Sequence, residues 1–181
     1  SDVIFITASD ITTVSDFEGN DYNTVQIGTQ TWLKENLKAT KYSDGSDIPN
    51  ITDNVEWMGT SEGAFCWYDN DSIANHDVYG VMYNYLAVVD SRNICPSGWH
   101  VPSHTEWTNL IYYLGGANVA GGKLRETGTV HWSTDPGADN SSGFTALPGG
   151  YRYRTYGFVG IGDEGEWLTV TENDASRVWT K

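Results

Sequence analysis

The chain has 181 residues, and its 24 acidic and 10 basic side chains give it a formal net charge of −14. Nucleic acid and anionic membranes repel such a chain unless its cations share one face, and its Lys and Arg residues are scattered along the sequence. No stretch approaches the roughly eighteen consecutive apolar residues of a spanning helix. We therefore expect no nucleic-acid partner and no membrane span.

The composition is typical of a protein that is rich in turns and in large aromatic side chains. It includes 20 Gly, 8 Trp and 11 Tyr, and only 19% of the residues are charged. Charged residues make up about 25% of ordinary soluble domains, so the surface is expected to be neutral and polar. This profile is typical of an extracellular α+β or all-β module.

The first predicted elements are strands. Residues 1–15 read as an apolar strand, Val3-Ile4-Phe5-Ile6, followed by a polar connector. Residues 25–27 and 31–33 read as two short strands joined by a turn at Gly28-Thr29.

The middle of the chain is less regular. Between residues 44 and 77 the apolar periodicity disappears, and this predicts a long irregular region held by aromatic side chains. Residues 85–89 are compatible with a short helix or with the end of a strand, and the pattern does not separate the two.

The clearest predicted helix begins after Ser103. Ser103 and Glu106 have the spacing of a capping box, and Trp107, Leu110, Ile111 and Leu114 follow on one helical face. Gly115-Gly116 is expected to end the helix. Residues 143–171 then alternate short strand-like runs with glycines.

The order of several motifs identifies a family resemblance. These motifs are FEGNDYNTVQIGTQTWLKENLKATKY, CWYDND, YGVMYNYLAV, CPSGWHVPSHTEWTNLIYYLGG, SSGFTALPGGYRYRTYGF and GEWLTVT. From residue 16 to 181 the chain resembles the Fibrobacter succinogenes major paralogous domain, which occurs in surface and secreted proteins of Bacteroidetes and Fibrobacteres. The resemblance implies an α+β fold that is C-type lectin-like and similar to formylglycine-generating enzymes, with small twisted antiparallel sheets, about two helices and long irregular loops.

The resemblance also raises an expectation about the end of the chain. Family members usually continue through further strands, so residues 16–181 are expected to form a domain that lacks its last strands. A neighbouring copy could then complete the sheet by strand addition, with Val3–Ile6 as the donated segment.

An enzymatic role is not expected. The formylglycine-generating relatives bind copper through two late cysteines, and no cysteine follows Cys95. His100 and His104 have a spacing seen in zinc sites, but Pro102 and the cap at Ser103 keep them off a common helical face. We expect His100 to be a structural hydrogen-bonding group instead.

The two cysteines, Cys66 and Cys95, are expected to form a disulfide if the protein is in an oxidising compartment. Such a bridge would stabilise the fold by roughly 3.5 kcal/mol in the chain-entropy model. Two free buried thiols are the alternative.

Calcium is the one cofactor that the sequence suggests. Asp69, Asp71, Asn75 and Asp77 place oxygen ligands at short spacing within a predicted loop, as a hard cation requires. The alternative is that these residues only form turns and cap the backbone.

The candidate ligand-binding residues lie near the C-terminus. They are Tyr151, Arg152, Tyr153, Arg154, Tyr156 and Trp167. Alternation along residues 151–154 places the tyrosines on one strand face and the arginines on the other. Aromatic faces and polar tips suit sugar rings, so the predicted partner is a glycan or another cell-surface ligand.

These observations predict that the protein is a non-catalytic, extracellular or cell-surface module for adhesion or glycan binding. The alternative is a structural subunit of a surface appendage or filament, assembled from copies of itself by strand sharing.

Overall fold

A computed structural model describes residues 12–153 and 157–171. Among these residues the chain forms seven short strands and five short helices, so the fold is mixed α and β with small antiparallel sheets. The strands are β1 Thr13–Ser15, β2 Asp21–Ile27, β3 Gln30–Leu33, β4 Phe65–Cys66, β5 Met82–Tyr83, β6 Gly149–Tyr153 and β7 Gly157–Ile161. The helices are α1 Asn54–Gly59, α2 Ser72–Tyr79, α3 Tyr85–Val88, α4 His104–Tyr113 and α5 Ala117–Leu124. No helix in these ranges is long and apolar enough to cross a membrane.

The strands form one three-stranded sheet, β1-β2-β3, and two hairpins, β4-β5 and β6-β7. The predicted pair of strands around Gly28 is confirmed as β2 and β3, with Val25 opposite Trp32. Gly28 has a positive φ, and a Cβ placed there would come within 3.0 Å of the Tyr113 ring. Glycine therefore both permits the turn and lets it pack against α4. The segment Val3–Ile6 lies outside the described residues.

The capping box at α4 is confirmed. The Ser103 Oγ accepts a hydrogen bond from the Glu106 N–H, and the Glu106 Oε2 accepts one from the Ser103 N–H at 2.7 Å. Trp107 and Leu110 are buried on the inner face of the helix. Gly115 and Gly116 follow its end with positive φ, as the sequence predicts.

The number of helices differs from the expectation of about two. Within the region predicted to be irregular, Asp53 caps α1 and Asp71 caps α2 through their carboxylates. Both helices are too short to show an apolar stripe, so the periodicity that predicts helices misses them. α5 contains Gly121-Gly122 and was missed because glycine normally weakens a helix.

The core consists of two clusters. The first lies between the β2-β3 pair and the α4 and α5 helices, and it includes Trp32, Trp107 and Phe144. The second surrounds the β4-β5 hairpin and includes Tyr42, Phe65 and Cys95.

Candidate functional site

A cleft of about 1930 Å³ is bordered by residues of both core clusters. Eight partly exposed aromatic side chains line it: Trp57, Tyr79, Tyr83, Tyr85, Trp99, Tyr151, Tyr153 and Trp167. We call it the aromatic cleft. The side chains of Thr29, Thr31 and Lys34 line it as well. Among the described residues the side chains of these three make no hydrogen bond, so their polar groups are available to a ligand.

Four of the six predicted binding residues are described, and all four line this cleft. Tyr151, Arg152 and Tyr153 lie on β6, and Trp167 follows the β6-β7 hairpin. The rings of Tyr151 and Tyr153 are 6.3 Å apart, in agreement with their predicted common face. Tyr153 is 42% exposed and is the most accessible of the four. Arg154 and Tyr156 lie outside the described residues.

Arg152 holds the β6-β7 hairpin to the segment that leads into α1. Its guanidinium donates to the carbonyl oxygens of Ile51 and Thr52 at 2.7 and 2.8 Å, and to the Asn54 Oδ1 at 2.7 Å. It also lies over the rings of Trp57 and Phe158, 4.6 and 5.0 Å from their centroids. These contacts use most of its donors for the protein itself.

Trp167 is shared between the cleft and the first core cluster. Its ring packs 6.1 Å from the ring of Trp107 and 6.2 Å from that of Phe144. Its indole N–H donates to the Asn36 Oδ1 at 2.9 Å. Trp167 is therefore a structural side chain with one side on the cleft.

Trp57 is a cleft residue beyond those predicted from the sequence. It lies half-buried in α1 and lines the cleft beside Arg152. Asp53 is the sequence signal that could have identified this residue, because Asp53 is the N-cap of the short helix that carries Trp57.

The residues of the predicted calcium loop have other partners. Asp71 caps α2 and accepts from the Ala74 N–H at 3.0 Å, whereas the buried Asn75 donates to the carbonyl oxygens of Tyr68 and Asp71. Asp77 pairs with His76, and Asp69 adopts a positive φ in the short 3-10 helix Tyr68–Asn70. Over the described ranges no group of three or more His, Cys, Asp or Glu residues could hold a metal ion. These contacts support the turn-forming alternative, and calcium binding here stays a prediction.

His100 makes a structural hydrogen bond, as predicted. Its Nε2 lies 2.9 Å from the Oε1 of Glu106, the carboxylate that caps α4. Burial alone would raise the pKa of Glu106, but hydrogen bonds from Ser103 and His100 lower it below its ordinary value. His104 donates its backbone N–H to the Thr171 Oγ1.

The structure does not contain the predicted disulfide. Cys66 and Cys95 are both buried free thiols. Cys66 lies on β4 near Arg152, and Cys95 packs within the second core cluster, which surrounds the same hairpin. Burial raises the pKa of Cys66 to about 11 and that of Cys95 to about 12.

Comparison with known proteins settles the family. The family model for the Fibrobacter succinogenes major domain matches residues 25–181. The chain belongs to this family. No curated protein and no solved structure gives a significant match to this Fibrobacter succinogenes major domain.

Proposed function

We propose that this domain is a non-catalytic module of the extracellular space or cell surface, with C-type lectin-like architecture, that binds a glycan in the aromatic cleft. The observation that carries the proposal is the common location of Tyr151, Tyr153 and Trp57 on one cleft. Flat aromatic faces pack against the C–H groups of sugar rings, and ordering a rigid aromatic side chain costs little conformational entropy.

The polar lining supports the same ligand class. The hydroxyls of Thr29 and Thr31 and the ammonium of Lys34 can hydrogen bond to sugar hydroxyls without first breaking contacts among the described residues. Ordinary ligand pockets measure about 300–1,000 Å³, so the cleft has room for more than one sugar unit.

A glycan array tests this proposal directly, with and without added calcium. We expect binding to some arrayed glycans, and we expect Tyr153→Ala to reduce it by about tenfold, since one aromatic stacking surface is lost. Tyr112→Ala is the matched control, because Tyr112 is 84% exposed on α4 and does not line the cleft. An array without hits under both conditions would contradict the proposal.

A structural subunit assembled by strand sharing is the second candidate function. The edge of β3 that faces away from β2 has no strand partner among the described residues, and Gln30–Leu33 line the cleft. The Lys34 N–H donates to the Asn23 carbonyl, so the backbone groups of Lys34 point toward β2. Successive residues of a strand point their backbone groups to opposite edges, so those of Thr31 and Leu33 point toward the free edge. Such an edge can accept a strand from another chain.

Light scattering at increasing protein concentration separates the two functions. Polymers that dissociate when Leu33 is replaced by Pro would support the structural role, since proline removes the N–H that the free edge presents. A monomer at every concentration would leave only the glycan proposal.

A further inference from the structure

A second cavity, distinct from the aromatic cleft, is lined by a buried cation. It measures about 280 Å³ and is lined by Arg125, Trp132, Thr134, Gly162, Asp163 and Glu164. None of these residues lines the aromatic cleft. The cavity lies between the loop that carries Trp132 and the turn that follows β7.

Arg125 is almost completely buried but has no counter-charge in contact with it. Only 2% of its surface is exposed, and its Nε and Nη2 have no hydrogen-bond partner. Among the described residues no carboxylate lies within the 4.0 Å of an ion pair with it. An unpaired buried charge is costly, and such unsatisfied donors require an explanation.

The acidic groups around Arg125 do not form an ion pair with it. Asp135 acts on Arg125 through space, but its carboxylate accepts hydrogen bonds from the N–H groups of Gly128, Gly137 and Ala138. Asp163 and Glu164 line the cavity on its more exposed side without pairing with the guanidinium.

The Arg125 guanidinium lies over the ring of Trp132. Its Cζ lies 3.9 Å from the centroid of the Trp132 ring, and the Trp132 indole N–H is fixed by the Ala146 carbonyl oxygen at 3.1 Å. A cation–π contact of this kind stabilises the positive charge of the planar guanidinium fork. A planar oxyanion is the natural partner of such a fork.

We propose that this cavity binds the carboxylate group of a small hydroxylated acid, such as a uronic acid, through Arg125. The Thr134 hydroxyl can donate to the same carboxylate, and the acidic side chains of Asp163 and Glu164 can accept from the ligand hydroxyls. Their negative charge also disfavours multiply charged anions such as phosphate.

Titration with sodium glucuronate at constant ionic strength tests the proposal. The ¹H–¹⁵N NMR signals of the Arg125 Nε and Trp132 Nε1 groups report the binding. We expect both signals to shift with glucuronate and to stay in place with glucose. Arg125→Gln should weaken binding by about tenfold or more, because the charged fork is lost. Lys38→Gln is the control, since it removes one positive charge outside the cavity.

Glu164→Gln keeps the proposal testable if Arg125→Gln does not fold. The Glu164 carboxylate makes no hydrogen bond among the described residues, so its replacement should preserve the fold. Removing its charge should tighten glucuronate binding by about two- to fivefold. Any one of five results would overturn the proposal. They are no response to glucuronate, an equal response to glucose, a stronger response to phosphate, unchanged affinity in Arg125→Gln, and weaker binding in Glu164→Gln.

Failure here is distinguishable from failure of the glycan proposal. Tyr153→Ala changes the aromatic cleft only, so it should leave the Arg125 and Trp132 shifts unchanged.

Discussion

Arg152 shows how a residue predicted to face a ligand can instead hold the protein together. Its three short hydrogen bonds join β6 to Ile51, Thr52 and the first residue of α1. We expect Arg152→Ala to lower the free energy of unfolding by about 2–4 kcal/mol, because two backbone carbonyls lose a charged donor. Urea unfolding measures this loss.

Arg152→Lys is the companion variant. It keeps the charge but replaces the planar fork, so it should recover only part of the lost stability. If Arg152 served the ligand alone, both variants would unfold at the wild-type urea concentration.

The two thiols give a second test at the residue scale. Because burial raises the pKa of Cys66 and Cys95 to about 11 and 12, the reactive thiolate is scarce at neutral pH. We expect neither thiol to react with a thiol reagent in the native protein and both to react in denaturant. A protein with no reactive thiol in denaturant would show that the disulfide forms after all, and dithiothreitol should then lower its melting temperature.

At the scale of the elements, the capping box makes α4 sensitive to acid. The pKa of Glu106 is lower in the folded chain than its ordinary value, so the unfolded chain takes up the proton first. Its contribution to stability is present above the ordinary glutamate pKa and is lost as the pH falls through the lowered value.

Glu106→Gln should therefore flatten the acid side of the stability profile. We expect the difference in unfolding free energy between wild type and variant to shrink between about pH 6 and pH 3, as urea unfolding at each pH would show. Thr105→Ser, one position earlier in α4, is the control and should follow the wild-type profile. A constant difference across this range would contradict the role given to the Glu106 carboxylate.

Across the whole molecule, Trp167 joins the C-terminal region to the first core cluster. It packs on Trp107 and Phe144 and binds Asn36, whose side-chain N–H in turn donates to the Tyr79 carbonyl. Trp167→Ala should lower the free energy of unfolding by about 2–4 kcal/mol, measured in urea, because it removes both packing and a hydrogen bond.

Trp167→Phe separates the two contributions. It keeps an aromatic ring against Trp107 but loses the indole N–H, so we expect a smaller loss of about 1 kcal/mol. A wild-type unfolding midpoint for Trp167→Ala would instead make Trp167 a free cleft side chain.

The sequence alone determined those structural elements whose geometry depends only on residues a few positions apart in the chain. The turn at Gly28, the capping box of α4 and the alternation of Tyr151 and Tyr153 are all set within a few positions, and each is present in the structure. The motif order likewise placed the chain in its family. The helices α1, α2 and α5 were missed because they are too short or too rich in glycine to show a periodic pattern.

Only the tertiary structure decided which side chains share a site and whether the two thiols form a bridge. Arg152 meets residues about a hundred positions earlier, and Arg125 is enclosed with the distant Asp163 and Glu164. Cys66 and Cys95 are both buried free thiols although their spacing allows a bridge. Such contacts depend on how the hairpins and helices pack, and no pattern of spacing along one chain encodes the distance between two packed elements.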